Sequence, residues 1–359
     1  MARDHSASER DEFGELIEAE LAAKLGDLVA ARAIYSAALE VGDDRLAAKA
    51  HLGLGRLALE SGDHIGALPD LERALELGLG PNEIAGAHEA LGRAYGMLAR
   101  FDEAIAVLTQ GIVEARANGD GHHALRLSVM LSNAFIDSGR LAAAERVLAG
   151  VEAEAQGAAE SYSLGMVYWS QSRVLSARRR FDEARDRARL SHAMYADSEH
   201  TVNAARALHL VAYQENNCGN ARTALDLLNE IEPAIAGTGN AMEVGMLALE
   251  KARALEQLGE LEQAGAIALG AISKFEGGHA ISAGRAYATA ADIFRDLGDD
   301  TRALELYELA VETLPPTTGR HLVEAWREIA AIHERRGEVA EASRYLKRAL
   351  AAQTELTRR

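Results

Sequence analysis

The sequence predicts an all-α protein, an α-solenoid of about nine helix-turn-helix units, and three observations carry that reading. The first is composition: of 359 residues, 48% are hydrophobic and only 5% aromatic, with five prolines. The abundant Ala, Leu, Glu and Arg lose little conformational entropy in a helix. The second is self-similarity, because a turn motif returns at intervals of 36 to 40 residues along the whole chain. The third is a pair of columns of small residues that flank every turn at fixed spacing.

Units one and two turn at Gly26 and Gly62, each followed by Asp, and unit three turns at Ala99 ahead of Arg-Phe-Asp-Glu-Ala. Unit four turns at Gly139, and unit five at Arg179 ahead of a second Arg-Phe-Asp-Glu-Ala. Units six to nine turn at Gly219, Gly259, Gly298 and Gly337. Five residues after the turns stand Ala31, Ala67, Ala104, Ala144, Ala184, Ala224, Ala264, Ala303 and Ala342. Seven before them stand Ala19, Gly55, Gly92, Ser132, Ser172, Ala212, Ala252, Ala291 and Ala330. Where two helices cross, residues this small let the backbones approach. Nine after the turns, Tyr35, Leu71, Leu108, Leu148, Leu228, Tyr307 and Leu346 are expected to fill the space between units. Apolar residues recur at helical spacing on both sides of each turn.

Local residues refine the elements. Pro69 is expected to bend the second helix of unit two or shorten its first turn, and Pro233 to end or kink the second helix of unit six. Asp102-Glu103 and Asp182-Glu183 open second helices, where negative charge meets the positive end of the helix dipole. The spacing places a disordered tail over residues 1–10 and the solenoid over 11–359, with no second domain. The last helix, about Val339 to Leu356, carries Arg344, Lys347 and Arg348, with Arg358 and Arg359 just after it, and reads as a polar cap.

Charge and cysteine content narrow the function classes. The 38 Lys and Arg against 55 Asp and Glu leave a net charge of −17, which repels nucleic acid and anionic membranes. No apolar run reaches the roughly 18–20 residues of a membrane helix, and the charged N-terminus lacks a signal-peptide core. With Cys218 as its one cysteine, the chain is expected in the cytoplasm, without disulfides and with an inert thiol. His122-His123 reads as a solvated loop pair, and His321 with Glu324 as a surface pair short of a metal set. No phosphate-binding loop and no nucleophilic triad is present, so no enzyme, cofactor or metal is expected.

The small columns and the Gly-Asp turns resemble the tetratricopeptide repeat over nearly the whole chain. Pro315-Pro316 falls where that repeat closes, between units eight and nine, while its usual tryptophan is mostly missing. The units exceed its 34-residue length, which predicts helices or inter-unit loops about a turn longer. The resemblance implies a right-handed superhelix. The stretches from Met166 to Ala184 and from Asn203 to Asn217 also look like the sensor arrays of bacterial, largely actinobacterial, helix-turn-helix regulators. Only about ten residues precede the first repeat helix, so no DNA-binding domain of that family fits in front of it.

The resemblance also implies that first helices line a concave groove, through positions about 13, 10, 6, 3 and 2 before each turn. On that face of the middle units stand Arg126 and Asn133 of unit four, Trp169 and Arg173 of unit five, Arg206, His209, Tyr213, Asn216 and Asn217 of unit six, and Arg253 of unit seven. Arg forks and Asn amides suit a carboxylate or a peptide backbone, and Trp169 beside Arg173 suits a binding hot spot. The competing expectation is that these arginines pair with acids of adjoining turns, Arg93 with Glu89 and Arg253 with Glu250 or Glu256, and that Trp169 belongs to the inter-unit core. Three functions fit the pattern. They are a sensor that captures an extended peptide or an acidic protein tail in its groove, a scaffold that holds folded proteins on its acidic convex face, and a regulator that sequesters a signalling protein. The expected partner is a peptide or protein, with a homodimer as a further possibility.

Overall fold

The computed structural model describes residues 14–158, 160–275, 280–316 and 318–358; the expected tail over residues 1–10 lies outside them. Two helices fill each unit: α1 (residues 14–24) and α2 (Leu28–Leu39), α3 (Asp44–Glu60) and α4 (His64–Leu77), α5 (Pro81–Met97) and α6 (Phe101–Ala117), α7 (Gly121–Asp137) and α8 (Leu141–Ala158), α9 (Ser161–Ala177) and α10 (Phe181–Asp197). They continue with α11 (Thr201–Asn217) and α12 (Ala221–Ala236), α13 (Ala241–Gln257) and α14 (Leu261–Ile272), α15 (Ala280–Asp296) and α16 (Asp300–Thr313), and α17 (Gly319–Arg335) and α18 (Val339–Arg358). Among the described residues there is no strand.

The repeated turn motif has a backbone explanation. All nine turn residues have positive φ, between 56° at Ala99 and 84° at Gly26. In unit one the amide of Asp27 bonds the carbonyl of Ala22 while Gly26 bonds Ala23, the double bond of a helix C-terminus closed by a left-handed residue. The same Asp27 then caps the next helix, its carboxylate accepting from Ala30 N at 3.0 Å; Asp63 and Asp299 repeat this on Gly66 and Arg302. Gly-Asp therefore ends one helix and starts another within three residues. Ala99 and Arg179 hold the left-handed conformation with a side chain, at φ 56° and 61°, which costs about 1–2 kcal/mol. Ala99→Gly and Arg179→Gly are each expected to stabilise the fold by about 0.5–1 kcal/mol after the added entropy of the unfolded glycine. Urea denaturation checks this, and a destabilisation at both sites would contradict it.

From unit two onward each first helix is 17 residues long, so the extra length of the units lies in helix and the turns inside them stay at three residues. The column five after the turn is buried throughout, fully so in the first eight units. The column seven before it is equally enclosed, and a Cβ on Gly55 or Gly92 would come within 2.6 Å of Leu71 or 2.5 Å of Leu108, the residues nine after the turns. The large residue of each unit thus sits on the small one of the paired helix. Pro69 is accommodated inside α4, whose first turn keeps its full length. The carbonyl that loses its donor is on Ile65, an exposed residue that water reaches. Pro233 lies three residues from the end of α12, consistent with a terminating role.

The chain divides into two compact bodies, residues 1–134 and 135–359. A cluster built from Leu16, Ala31, Tyr35, Leu46 and Leu57 anchors the start of the first body. The second contains one cluster around Leu228, Ile231, Ile235 and Leu247, and another around Phe275, Ile293, Tyr307, Ile329 and Ile332. Two expectations need correction. His122 and His123 belong to the first turn of α7, where the amide and Nδ1 of His123 face the Asp120 carboxylate at 3.1 and 2.7 Å. The last helix is not simply a polar cap. Val339, Leu346 and Leu350 are exposed on it.

Candidate functional site

In the first body Arg126 and Asn133 lie on α7, both half-buried. Arg126 donates to Glu89 on α5 at 2.6 Å, so Glu89 serves unit four and not Arg93 as the spacing had indicated. Glu83, also on α5, holds Lys49 at 2.6 Å.

The second body gathers the rest. Arg173 of α9 reaches Asp137 at 2.5 Å, and Arg253 of α13 reaches the Asn217 side-chain oxygen at 3.0 Å. Both bonds join a position six before one turn to the position two before the preceding turn. Arg206 of α11 meets Glu243 of α13 at 2.6 Å, and Arg253 also donates to Glu250 at 2.9 Å. The arginines on this face are neutralised by acids in register, and they tie consecutive units together.

Behind them a polar network crosses from α9 to α13. Gln214 contacts Ser172 at 3.4 Å and accepts from Asn217 at 3.2 Å; Asn216 donates to the Glu250 carbonyl at 3.0 Å and to its carboxylate at 3.2 Å; Gln257 donates to the Asn216 carbonyl at 3.1 Å. Asn216 is buried between units, and its Oδ1 has no donor among the described residues. Arg253 lies 5.4 Å over the Tyr213 ring, a cation–π contact. Burial pushes the His209 imidazole below its ordinary pKa, against the pull of Glu250 and Glu243. Trp169 is half-buried and packs with Met166 on a small cluster that includes Ala204 and Ala207 of α11, which fits the inter-unit alternative. Gln214 was the residue missed by sequence reasoning. The available signal was a polar residue in a column, five before the turn, filled elsewhere by Leu, Ala, Val or Ile.

Farther along the second body the first helices turn acidic. Arg295 binds Asp292, Asp296 and Glu328 at 3.0, 2.9 and 2.7 Å. Burial, with Asp292 and Asp296 nearby, raises the Glu256 carboxyl to about 7. A carboxyl raised in the fold binds its proton more tightly than in the unfolded chain, so its contribution to stability declines as pH climbs from about 4.5 through 7. Glu256→Gln is therefore expected to raise the melting temperature at pH 8 and to leave it unchanged at pH 4.5. Equal shifts at both values would exclude the ionisation. Unit nine also touches unit five, since Arg320 at the start of α17 donates to the Ala177 carbonyl at the end of α9, 3.3 Å away.

The remaining chemistry is sparse. His321 and Glu324 form a surface pair at 3.9 Å. Burial and the nearby Asp182, 3.8 Å away, raise the Cys218 thiol above its ordinary value, away from the reactive thiolate. Among the described residues no three His, Cys, Asp or Glu side chains stand close enough to hold a metal ion, and no helix is long and apolar enough to cross a membrane.

A tetratricopeptide repeat model matches residues 284–313, which cover most of unit eight. No curated protein matches the chain by sequence. Among solved structures, a Rap protein complexed with competence and sporulation factor superposes with a TM-score of 0.68 at 10% identity, over 97% of this chain and 99% of that one. The apo form of RapI superposes with a TM-score of 0.61 at 14% identity, over 84% of this chain and 85% of that one. At such identities the likeness is one of fold.

Proposed function

We propose that this chain, a tetratricopeptide-repeat protein by its fold and repeat motif, binds a peptide or an extended protein segment along the concave face of its second body. The observation that carries this reading is the run of half-buried polar side chains Arg206, His209, Tyr213, Asn217 and Arg253 on α11 and α13, held from behind by the buried amides of Gln214 and Asn216. Amides, a phenol and an imidazole supply both donors and acceptors, which is what the main chain of an extended peptide lacks. The fold supports the reading further, because repeat arrays bind on their concave surfaces, and one structural neighbour is a Rap protein in complex with competence and sporulation factor.

Because Arg173, Arg206 and Arg253 already have acidic or amide partners, the ligand is recognised through main chain and apolar side chains more than through negative charge. Selection of a random peptide library on the immobilised chain, followed by calorimetry on the enriched sequences, tests this. Affinity near 1 µM, about −8 kcal/mol, is expected. His209→Ala with Asn217→Ala should weaken it at least about tenfold, Arg344→Glu should leave it unchanged, and added salt should weaken it little. Equal losses in the groove and at Arg344, or no enriched peptide, would refute the groove reading. A sensing role with a partner protein downstream is the extension of this proposal, and catalysis forms no part of it.

A further inference from the structure

A pocket of about 330 Å³ opens between α10 and α12, over the first half of α11. It exists because side chains are cut back to alanine there. Ala196 and Ala234, which line it, stand 17 and 15 residues after the turns of units five and six. The same two positions hold Arg116 and Glu154 between units three and four, and Gln156 and Met194 between units four and five. Ala204, Ala205 and Ile231, all buried, form an apolar floor with the half-buried Leu208 beside them. The pocket shares no residue with the run proposed to hold a peptide.

The polar side chains of the lining favour a cation. Glu199 and Glu230 stand there exposed, with no hydrogen bond or ion pair from their carboxylates to any described residue. Among the described residues no Lys or Arg lines the pocket. The Nδ1 hydrogen of His192 goes to the Ala204 carbonyl at 3.0 Å, which in the neutral ring leaves Nε2 as an acceptor. Glu199 is also strained. Its φ is 59°, at the position 20 after the turn where units three and six have Gly119 and Gly239, at 75° and 68°. A side chain is disfavoured in that left-handed conformation, and strain of this kind collects at functional sites.

We propose that this pocket binds an aliphatic diamine, its alkyl chain on the alanine floor and its two ammonium groups on Glu199 and Glu230. Two unpaired carboxylates on one apolar pocket match a chain that is apolar along its length and charged at its ends. The volume lies at the lower end of the range for small-molecule sites. Binding draws on apolar surface removed from water and on charge-assisted hydrogen bonds. Glycine in place of the strained Glu199 would relax the turn and take away one of the two carboxylates.

Calorimetric titration of the full chain with diaminobutane and diaminopentane, with pentylamine as the singly charged control, tests this. A single diamine per chain is expected, bound at least about tenfold more tightly than pentylamine and more weakly in high salt. Glu230→Gln should weaken the diamine about tenfold or more. Ala234→Met, on exposed surface, should abolish binding by refilling the pocket with the residue that unit five carries at that position. Glu199→Gly should lose binding while raising the melting temperature of the free chain, so that the loss is not one of folding. Pentylamine binding as tightly as the diamines would assign the pocket to a single cation, such as a lysine side chain of another protein, and overturn the proposal. Diamine binding unchanged in Ala234→Met or Glu199→Gly would trace it to the general negative charge of the chain and overturn it too. So would the absence of binding at millimolar diamine.

Discussion

Truncation of Leu228 to alanine is expected to cost about 2–5 kcal/mol, the range for deleting a fully enclosed leucine, while the same truncation at Leu346 is expected to cost less than about 1 kcal/mol. The two residues occupy one column, nine after the turns at Gly219 and Gly337. Leu228 has no exposed surface and packs among Ala212, Ala224, Ile231 and Leu247. Its removal leaves a cavity in helices held close by alanines, which cannot shift inward to refill it. Leu346 is half exposed and gives up little contact. Urea denaturation of both variants decides the matter, and equal losses would mean that packing between units is not what the column does.

Replacement of Glu215 by alanine is expected to cost about 1.5–3 kcal/mol, the range for a hydrogen bond to a buried charged group. Glu215 is 2% exposed. One carboxylate oxygen accepts from Arg189 at 2.7 Å; the other accepts from Asn220 at 2.7 Å and lies 3.9 Å from Arg185. Its position joins α10 to the turn between α11 and α12. Arg189 can turn to water and the largely enclosed Arg185 keeps Asp182 at 3.1 Å, so most of the loss arises at Asn220 and in the space the carboxylate vacates. Glu215→Gln keeps an acceptor for Asn220 and should fall between alanine and wild type. In a repeat array the melting is local, and hydrogen exchange on α10 to α12 should report the loss before global unfolding does. A change under about 1 kcal/mol with unaltered exchange would show that the arginines are satisfied by solvent.

The repeat was readable because each of its columns answers to one steric requirement. A left-handed turn residue favours Gly, a helix crossing demands Ala, Ser or Gly, and an inter-unit gap takes Leu or Tyr. Ala99 and Arg179 depart from the turn chemistry, yet the motif after them, Arg-Phe-Asp-Glu-Ala, kept their units in register. The candidate site was less legible. Helical periodicity put Arg173, Arg206 and Arg253 on one face, but it carried no information on whether an acid of the adjoining unit stood opposite. That depends on the stagger between neighbouring helices, which pairs residues 36 or 37 apart, such as Arg173 with Asp137 and Arg206 with Glu243. Asn216 shows the same limit: one residue from Asn217 on the helix, it turns into the contact with α13 and is buried.

The sequence by itself determined the secondary structure, the number of units and the identity of the packing columns, because these depend on local backbone preference and on residue size at fixed spacing. Only the tertiary structure decided which charges meet, which amides are enclosed and which apolar residues remain bare. Those properties belong to pairs of helices, and the same leucine is core at Leu228 and surface at Leu346 according to whether another helix lies against it.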